Sequence, residues 1–223
     1  MDRELFWQAI KKFIAGLLIV GALLFLTAGS FAYWQAWLLL AILFIPMFGA
    51  GLVMMKKCPD LLRKRLNVKE TEDEQKLVIF FSGLMFLAAF LLAGLTYRYG
   101  WIRLPGWVSW LAAVLFLLAY ALYAEVLREN AYLSRTIEVQ ENQKVIDTGL
   151  YGIVRHPMYM ATLLLFLAMP LVLGSIFSFL VMLFYIPLIA RRIRNEEKVL
   201  EEGLAGYTEY KQRVKYKVIP RIW

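Results

Sequence analysis

The chain of 223 residues carries a single histidine, His156, with Pro157 directly after it. A second polar word, Arg191-Arg192-Ile193-Arg194-Asn195-Glu196-Glu197, follows an uninterrupted uncharged stretch, 158–190. Imidazole, guanidinium and carboxylate together offer donors, acceptors and fixed charge, from which a site can be assembled if the two words meet. Metal chemistry is a poor match: with one histidine, the lone Cys58 and no C-x-x-C pair, there is neither a zinc-ligand pattern nor an internal disulfide. Each word alone has a plain structural reading. A histidine before a proline caps a helix start at an interface, since proline fits the first turn, and Arg192 with Glu196 is an ordinary i,i+4 surface pair.

The elements that must position these words lie in a bilayer. Of the residues, 61% are hydrophobic and 19% charged, with a mean hydropathy of +0.61, whereas soluble domains run about 45–50% apolar and about 25% charged. That balance excludes a water-soluble enzyme, a disordered chain and a disulfide scaffold. The uncharged runs 13–29, 36–55, 77–97 and 107–124 are each near the roughly 20 residues that cross a hydrocarbon core. Four crossing helices follow. Lys11 and Lys12 precede the first run as in a signal peptide, but the run exceeds a signal core of about 7–15 residues and lacks a small-residue cleavage site, so it is expected to be retained. The 158–190 stretch is too long for one crossing and short for two, and Pro170 and Gly174-Ser175 interrupt it. It predicts two compact antiparallel helices, 158–173 and 176–190, with Pro187 bending the second.

The expected fold is therefore all-α: a polytopic integral membrane helical bundle with about six transmembrane segments, the last two a short helical hairpin, plus a cytoplasmic C-terminal helix. Residues 1–127 form the four-helix transmembrane region and 128–223 the catalytic region of loop, hairpin and C-terminal helix. In this layout Arg98 and Arg103 alone among the 25 Lys and Arg residues fall on the far side, which assigns both termini and the 56–76 and 128–157 segments to the cytoplasm. The net charge of +8 follows from that bias without a nucleic-acid partner. The 56–76 connection, basic at Lys56-Lys57 and Arg63-Lys64-Arg65 and acidic at Glu70, Glu72, Asp73 and Glu74, reads as a short helix on anionic headgroups. The basic and aromatic tail 211–217 reads the same way.

A hairpin places its two ends side by side, so His156-Pro157 and Arg191 to Glu197 are expected within side-chain reach. The full run Asp147-Thr148-Gly149-Leu150-Tyr151-Gly152-Ile153-Val154-Arg155-His156-Pro157-Met158-Tyr159, then Glu196-Glu197, Leu200, Tyr207-x-x-Tyr210-x-x-x-Val214 and Ile219-Pro220, resembles the isoprenylcysteine carboxyl methyltransferases. The wider group includes phospholipid N-methyltransferases. The close resemblance covers about 137–223, and the four N-terminal spans match in hydrophobicity and number only.

The resemblance implies an integral membrane methyltransferase that uses S-adenosylmethionine without a Rossmann domain, in keeping with the absence of a G-x-G-x-x-G turn. Matched position by position, it implies Gln140, Lys144, Val145, Ile146, Tyr151, His156, Pro157, Met158, Tyr159 and Glu196 as cofactor contacts and Arg192 as the residue orienting a substrate carboxylate. The implied partners are the bilayer and a lipid-like or prenylated acceptor, with a prenylcysteine carboxylate first and an ethanolamine amine or small thiol as alternatives. An amine acceptor needs a base, for which Glu197, His156 or Glu125 are candidates; Glu125 and Glu129 also read as an interfacial cluster around Arg128. The membrane sterol reductases, which use NADPH, resemble the same hairpin and are the second enzyme class. A non-catalytic binding or transport module is the third reading.

Overall fold

The computed structural model describes residues 3–66, 73–130, 132–133 and 139–223. The acidic positions Glu70 and Glu72 of the 56–76 connection lie outside them, as do residues 137 and 138 at the start of the resemblance. The described residues are all-helical: α1 (Arg3–Ala28), α2 (Trp34–Lys57), α3 (Pro59–Leu66), α4 (Asp73–Tyr99), α5 (Gly106–Glu129), a 3-10 turn (Gly149–Gly152), α6 (Pro157–Val172), α7 (Ile176–Met182), α8 (Tyr185–Gly203) and α9 (Tyr207–Arg213). Five stretches are long and apolar enough to cross a membrane, namely α1, α2, α4 from Lys76, α5 and the continuous Ile176–Gly203. The sixth expected span, α6, is a shorter apolar helix of 16 residues. The protein is an integral membrane helical bundle.

Its surface and core invert the pattern of a soluble bundle. Leu18, Leu26, Ile45 and Leu118 are largely exposed, as lipid-facing side chains must be, while the interior of α1, α2, α4, α5 and α6 packs Leu24, Leu39, Phe44, Ala93, Ala112, Phe116 and Val172 into one cluster. Small residues at the helix contacts let backbones approach closely.

The chain reverses after α6 at the expected turn. Gly174 adopts φ +70°, a left-handed conformation that glycine reaches at no steric cost, and the Ser175 side chain caps α7 by accepting from the Ser178 amide at 3.3 Å. This far end is tied down by the Leu104 amide to the Gly174 carbonyl at 2.9 Å, Tyr33 Oη to the Leu173 carbonyl at 2.6 Å, and Ser178 Oγ to the Ala89 carbonyl at 2.7 Å. Pro170 does not end α6, which runs on to Val172. The bend expected from Pro187 falls one turn earlier, between Met182 and Tyr185, because a proline ring crowds the carbonyl four residues before it.

The second arm corrects the expected compact hairpin. It does not stop at residue 190 but continues through the charged word to Gly203. Tyr185, Ile189, Ile193 and Glu197 are its buried residues, one per turn along a single face. The two charged words are thus carried by the start of α6 and the second half of α8, at the end of the bundle opposite the Gly174 turn.

Candidate functional site

Pro157 opens α6 with His156 as its N-cap residue, so the imidazole is fixed at the helix mouth, 5% exposed. Its Nε2 lies 3.2 Å from Glu197 Oε1. A carboxylate only accepts, so Nε2 carries the proton and Nδ1 is the nitrogen left for other partners. Nδ1 faces Glu196, whose Oε1 is 4.0 Å away. The hairpin therefore brings together both words, as their spacing implied.

Glu197 is held from three sides. Arg155 donates to its Oε1 through Nε at 2.9 Å and sits at 2.8 Å through Nη2, and Lys217 Nζ donates to Oε2 at 2.8 Å. The Arg155 and Glu197 side chains are 4% and 5% exposed, and a charge at that depth persists only when paired and hydrogen-bonded. Arg155 completes its valence on the Val214 and Lys215 carbonyls at 2.6 and 2.9 Å. The tail beyond α9 reaches this position because the Arg155 and His156 amides donate to the Tyr216 and Lys217 carbonyls at 2.9 and 2.8 Å.

Glu196 points the other way, toward the cavity. The Tyr159 hydroxyl donates to its Oε2, and Arg192 Nε donates to the same hydroxyl oxygen at 3.0 Å. His156 and Tyr159 stack with ring centroids 5.6 Å apart. Opposite them, the 3-10 turn is clamped to the end of α5: the Glu129 carboxylate accepts from the Leu150 amide at 3.0 Å, and Asn130 Nδ2 donates to Tyr151 Oη at 3.0 Å. Tyr210 Oη donates to the Tyr151 carbonyl at 2.8 Å, which docks α9 on the same turn.

Between these walls is an open cavity of about 840 Å³, counted to its open side. Of the residues singled out in the sequence, Lys144, Val145, Ile146, Tyr151, His156, Met158, Tyr159, Arg192 and Glu196 line it. Gln140, Pro157 and Glu197 do not. Gln140 steadies the loop by donating from Nε2 to the Tyr132 carbonyl at 2.6 Å, Pro157 is buried in the first turn of α6, and Glu197 lies behind His156. Glu125 pairs with Arg128, whose Nε donates to it at 2.9 Å.

Two residues were not assigned from the sequence, and a third, Tyr207 of the quoted run, was given no cofactor contact there. Arg155 and Lys217 are the counter-charges of Glu197; Arg155 stands beside His156 in the quoted run, and a charge at a buried helix start was the available signal. Lys217 offered none, because its role needs the tail folded back. With Arg213 on Asp147 at 2.8 Å and Lys211 on Glu201, three basic residues of the 211–217 tail are paired within the protein. The third residue, Tyr207, is 4% exposed and lines the cavity with a buried hydroxyl that has no partner among the described residues. Burial, reinforced by the Glu197 and Glu196 charges, pushes that hydroxyl well above the usual phenol range, so it is a donor.

Comparison with known proteins bears on this cavity. Residues 107–205 match the family model of the phospholipid methyltransferases. The matched segment runs from α5 through α8, so it contains Tyr151, His156, Arg192, Glu196 and Glu197, and leaves α9 and the tail outside. Similarity also extends to the Delta(14)-sterol reductase of Mus musculus, 30% identical over 91 residues. That match covers 40% of this chain and 22% of the reductase, so the chain spans under a quarter of that relative's length.

Proposed function

We propose that the protein is an S-adenosylmethionine-dependent methyltransferase whose acceptor is borne by the membrane, with the carboxylate of a prenylcysteine-type molecule as the first candidate. The observation that carries this reading is the meeting of His156 and Glu196 on the wall of one cavity, both residues lying within the segment that matches the phospholipid methyltransferase family. The bias of Lys and Arg toward one side supports a cytoplasmic orientation for both termini and the cavity.

The donor set suits adenosylmethionine. Glu196 accepts from hydroxyl or ammonium groups, the 144–146 backbone, His156 and Tyr207 meet the polar ends, and Tyr151 and Tyr159 give aromatic faces to a cation or a flat base. The Tyr207 hydroxyl, which has no partner among the described residues, is the sign of fit, since a buried donor without an acceptor costs about 1–3 kcal/mol until a ligand supplies one. When bound, adenosylmethionine supplies an electrophilic methyl group on a sulfonium. The chain's own residues then align and shield. Arg192, whose Nε donates to the Tyr159 hydroxyl, stands on the cavity wall where it orients an acceptor carboxylate, and α9 with Tyr207 and Tyr210 excludes water from one side.

A carboxylate is ionised at neutral pH, so alignment suffices and no base is required. Glu197 is not the base even for an amine, because its oxygens already take up Arg155, His156 and Lys217; it positions the imidazole. Incubation of membranes containing the protein with methyl-labelled adenosylmethionine tests the reading. Label that is transferred to a lipid-soluble acceptor and released by mild base identifies a methyl ester, label stable to base identifies an N-methyl product, and no transfer to any lipid extract contradicts the proposal.

The sterol-reductase similarity favours a second reading, a nicotinamide-dependent reductase-like protein. It predicts that NADPH binds in place of adenosylmethionine.

A further inference from the structure

Arg65, in the last turn of α3, comes from the part of the chain outside the matched segment, yet it reaches the cavity wall. α3 is anchored: Leu62 is buried with Leu5 and Met55, and Lys12 Nζ donates to the Leu66 carbonyl. From that base the Arg65 guanidinium crosses to α5 and α6. It lies 5.2 Å from the centroid of the Tyr123 ring, donates through Nη2 to the Tyr123 hydroxyl, and has both Nη atoms 4.0 Å from the sulfur of Met158, a cavity-lining residue. The next residue, Tyr159, carries Arg192.

The Arg65 side chain is half-buried, and among the described residues no carboxylate pairs with it. A guanidinium has five donors, of which a phenol oxygen and a thioether take few, and a thioether is a weak acceptor. A partly desolvated cation fixed by an aromatic ring and left short of acceptors is a site for an anion.

We propose that Arg65, presented by Tyr123 beside Met158, is an anion subsite that reads a carboxylate or phosphate oxygen of the membrane-borne acceptor. This deepens the methyltransferase reading and rests on it. It gives the connection between the second and third spans a part in acceptor choice: α3 contributes the charge, α5 the aromatic platform and α6 the wall.

The test uses the full chain in maltoside micelles, which carry no phosphate, and compares wild type with Arg65→Gln and Arg65→Lys. The probes are S-farnesylcysteine against its methyl ester, and dioctanoyl phosphatidylethanolamine against dioctanoylglycerol. In wild type, one probe that carries the oxyanion is expected to bind about tenfold tighter than its partner without it. Arg65→Gln reduces that preference by about threefold or more, Arg192 keeping the rest, and Arg65→Lys, which keeps charge but loses the planar fork, falls between them. The pair that responds tells a carboxylate from a phosphate. Adenosylmethionine affinity is expected to stay within about twofold of wild type in both variants, because the cofactor contacts lie on other residues. No preference in wild type, an undiminished preference in Arg65→Gln, or loss of adenosylmethionine binding in that variant overturns the subsite. Failure of wild type to bind adenosylmethionine at all would instead remove the parent reading.

Discussion

Glu197 gathers Arg155, His156 and Lys217 on two oxygens, and the depth of that cluster sets what its loss does. Glu197→Ala leaves a buried guanidinium and an ammonium without an anion, so it is expected to cost about 3–5 kcal/mol, read as a lower melting temperature in detergent. Glu197→Gln, which keeps the acceptor oxygen, is expected to lose less. Equal stability in wild type and Glu197→Ala would mean that the cluster does not hold the tail. Tyr207→Phe should behave in the opposite way. Its hydroxyl has no partner among the described residues, so removal leaves stability unchanged or slightly raised, while adenosylmethionine affinity falls about tenfold through one lost hydrogen bond. Unchanged affinity would take Tyr207 out of the site. His156 and Glu196 were legible from the sequence because the family-like words contain them. The same words contain Arg155 and Tyr207 but not their roles, and Lys217 lies outside them, since a residue acquires a buried partner, or lacks one, only when the tail and α9 fold over the cavity.

At the scale of elements, the spans could be read because an uncharged run of bilayer length has no other stable place. The continuation of α8 was hidden by the charge of 191–203, which hydropathy takes for the end of a helix. The stripe Tyr185, Ile189, Ile193, Glu197 was the recoverable signal, as a four-residue repeat that ends on a carboxylate carries one helix from lipid into the polar site. The 3-10 turn was not legible, for its place depends on Glu129 receiving the Leu150 amide. Gly149 there has φ +54°, and an added Cβ would run into the Glu129 carboxylate. Gly149→Ala therefore meets both a backbone cost of about 1–2 kcal/mol and the loss of the clamp. The expected outcome is adenosylmethionine binding about tenfold weaker with unchanged helical circular dichroism; unaltered binding would show that the turn does not shape the cavity.

The whole molecule is a bundle whose chemistry-bearing groups gather at one end, while the opposite end is closed by the Gly174 turn and its bonds to Tyr33 just before α2, to α4 and to the α4–α5 loop. The orientation drawn from basic residues places Cys58, exposed after α2, on the same side as the cavity. A membrane-impermeant maleimide is expected to label Cys58 in inside-out vesicles and not in sealed right-side-out ones, and the reverse pattern would turn the cavity away from intracellular adenosylmethionine. Within the cavity, His156 and Glu196 are the residues proposed to hold that cofactor. Equilibrium binding of labelled adenosylmethionine to the purified protein, with NADPH as competitor, tests this directly. Saturable binding is expected that NADPH does not displace and that falls about a hundredfold in both His156→Ala and Glu196→Ala at unchanged helical content. Wild-type affinity in both variants, or displacement by NADPH, would contradict it.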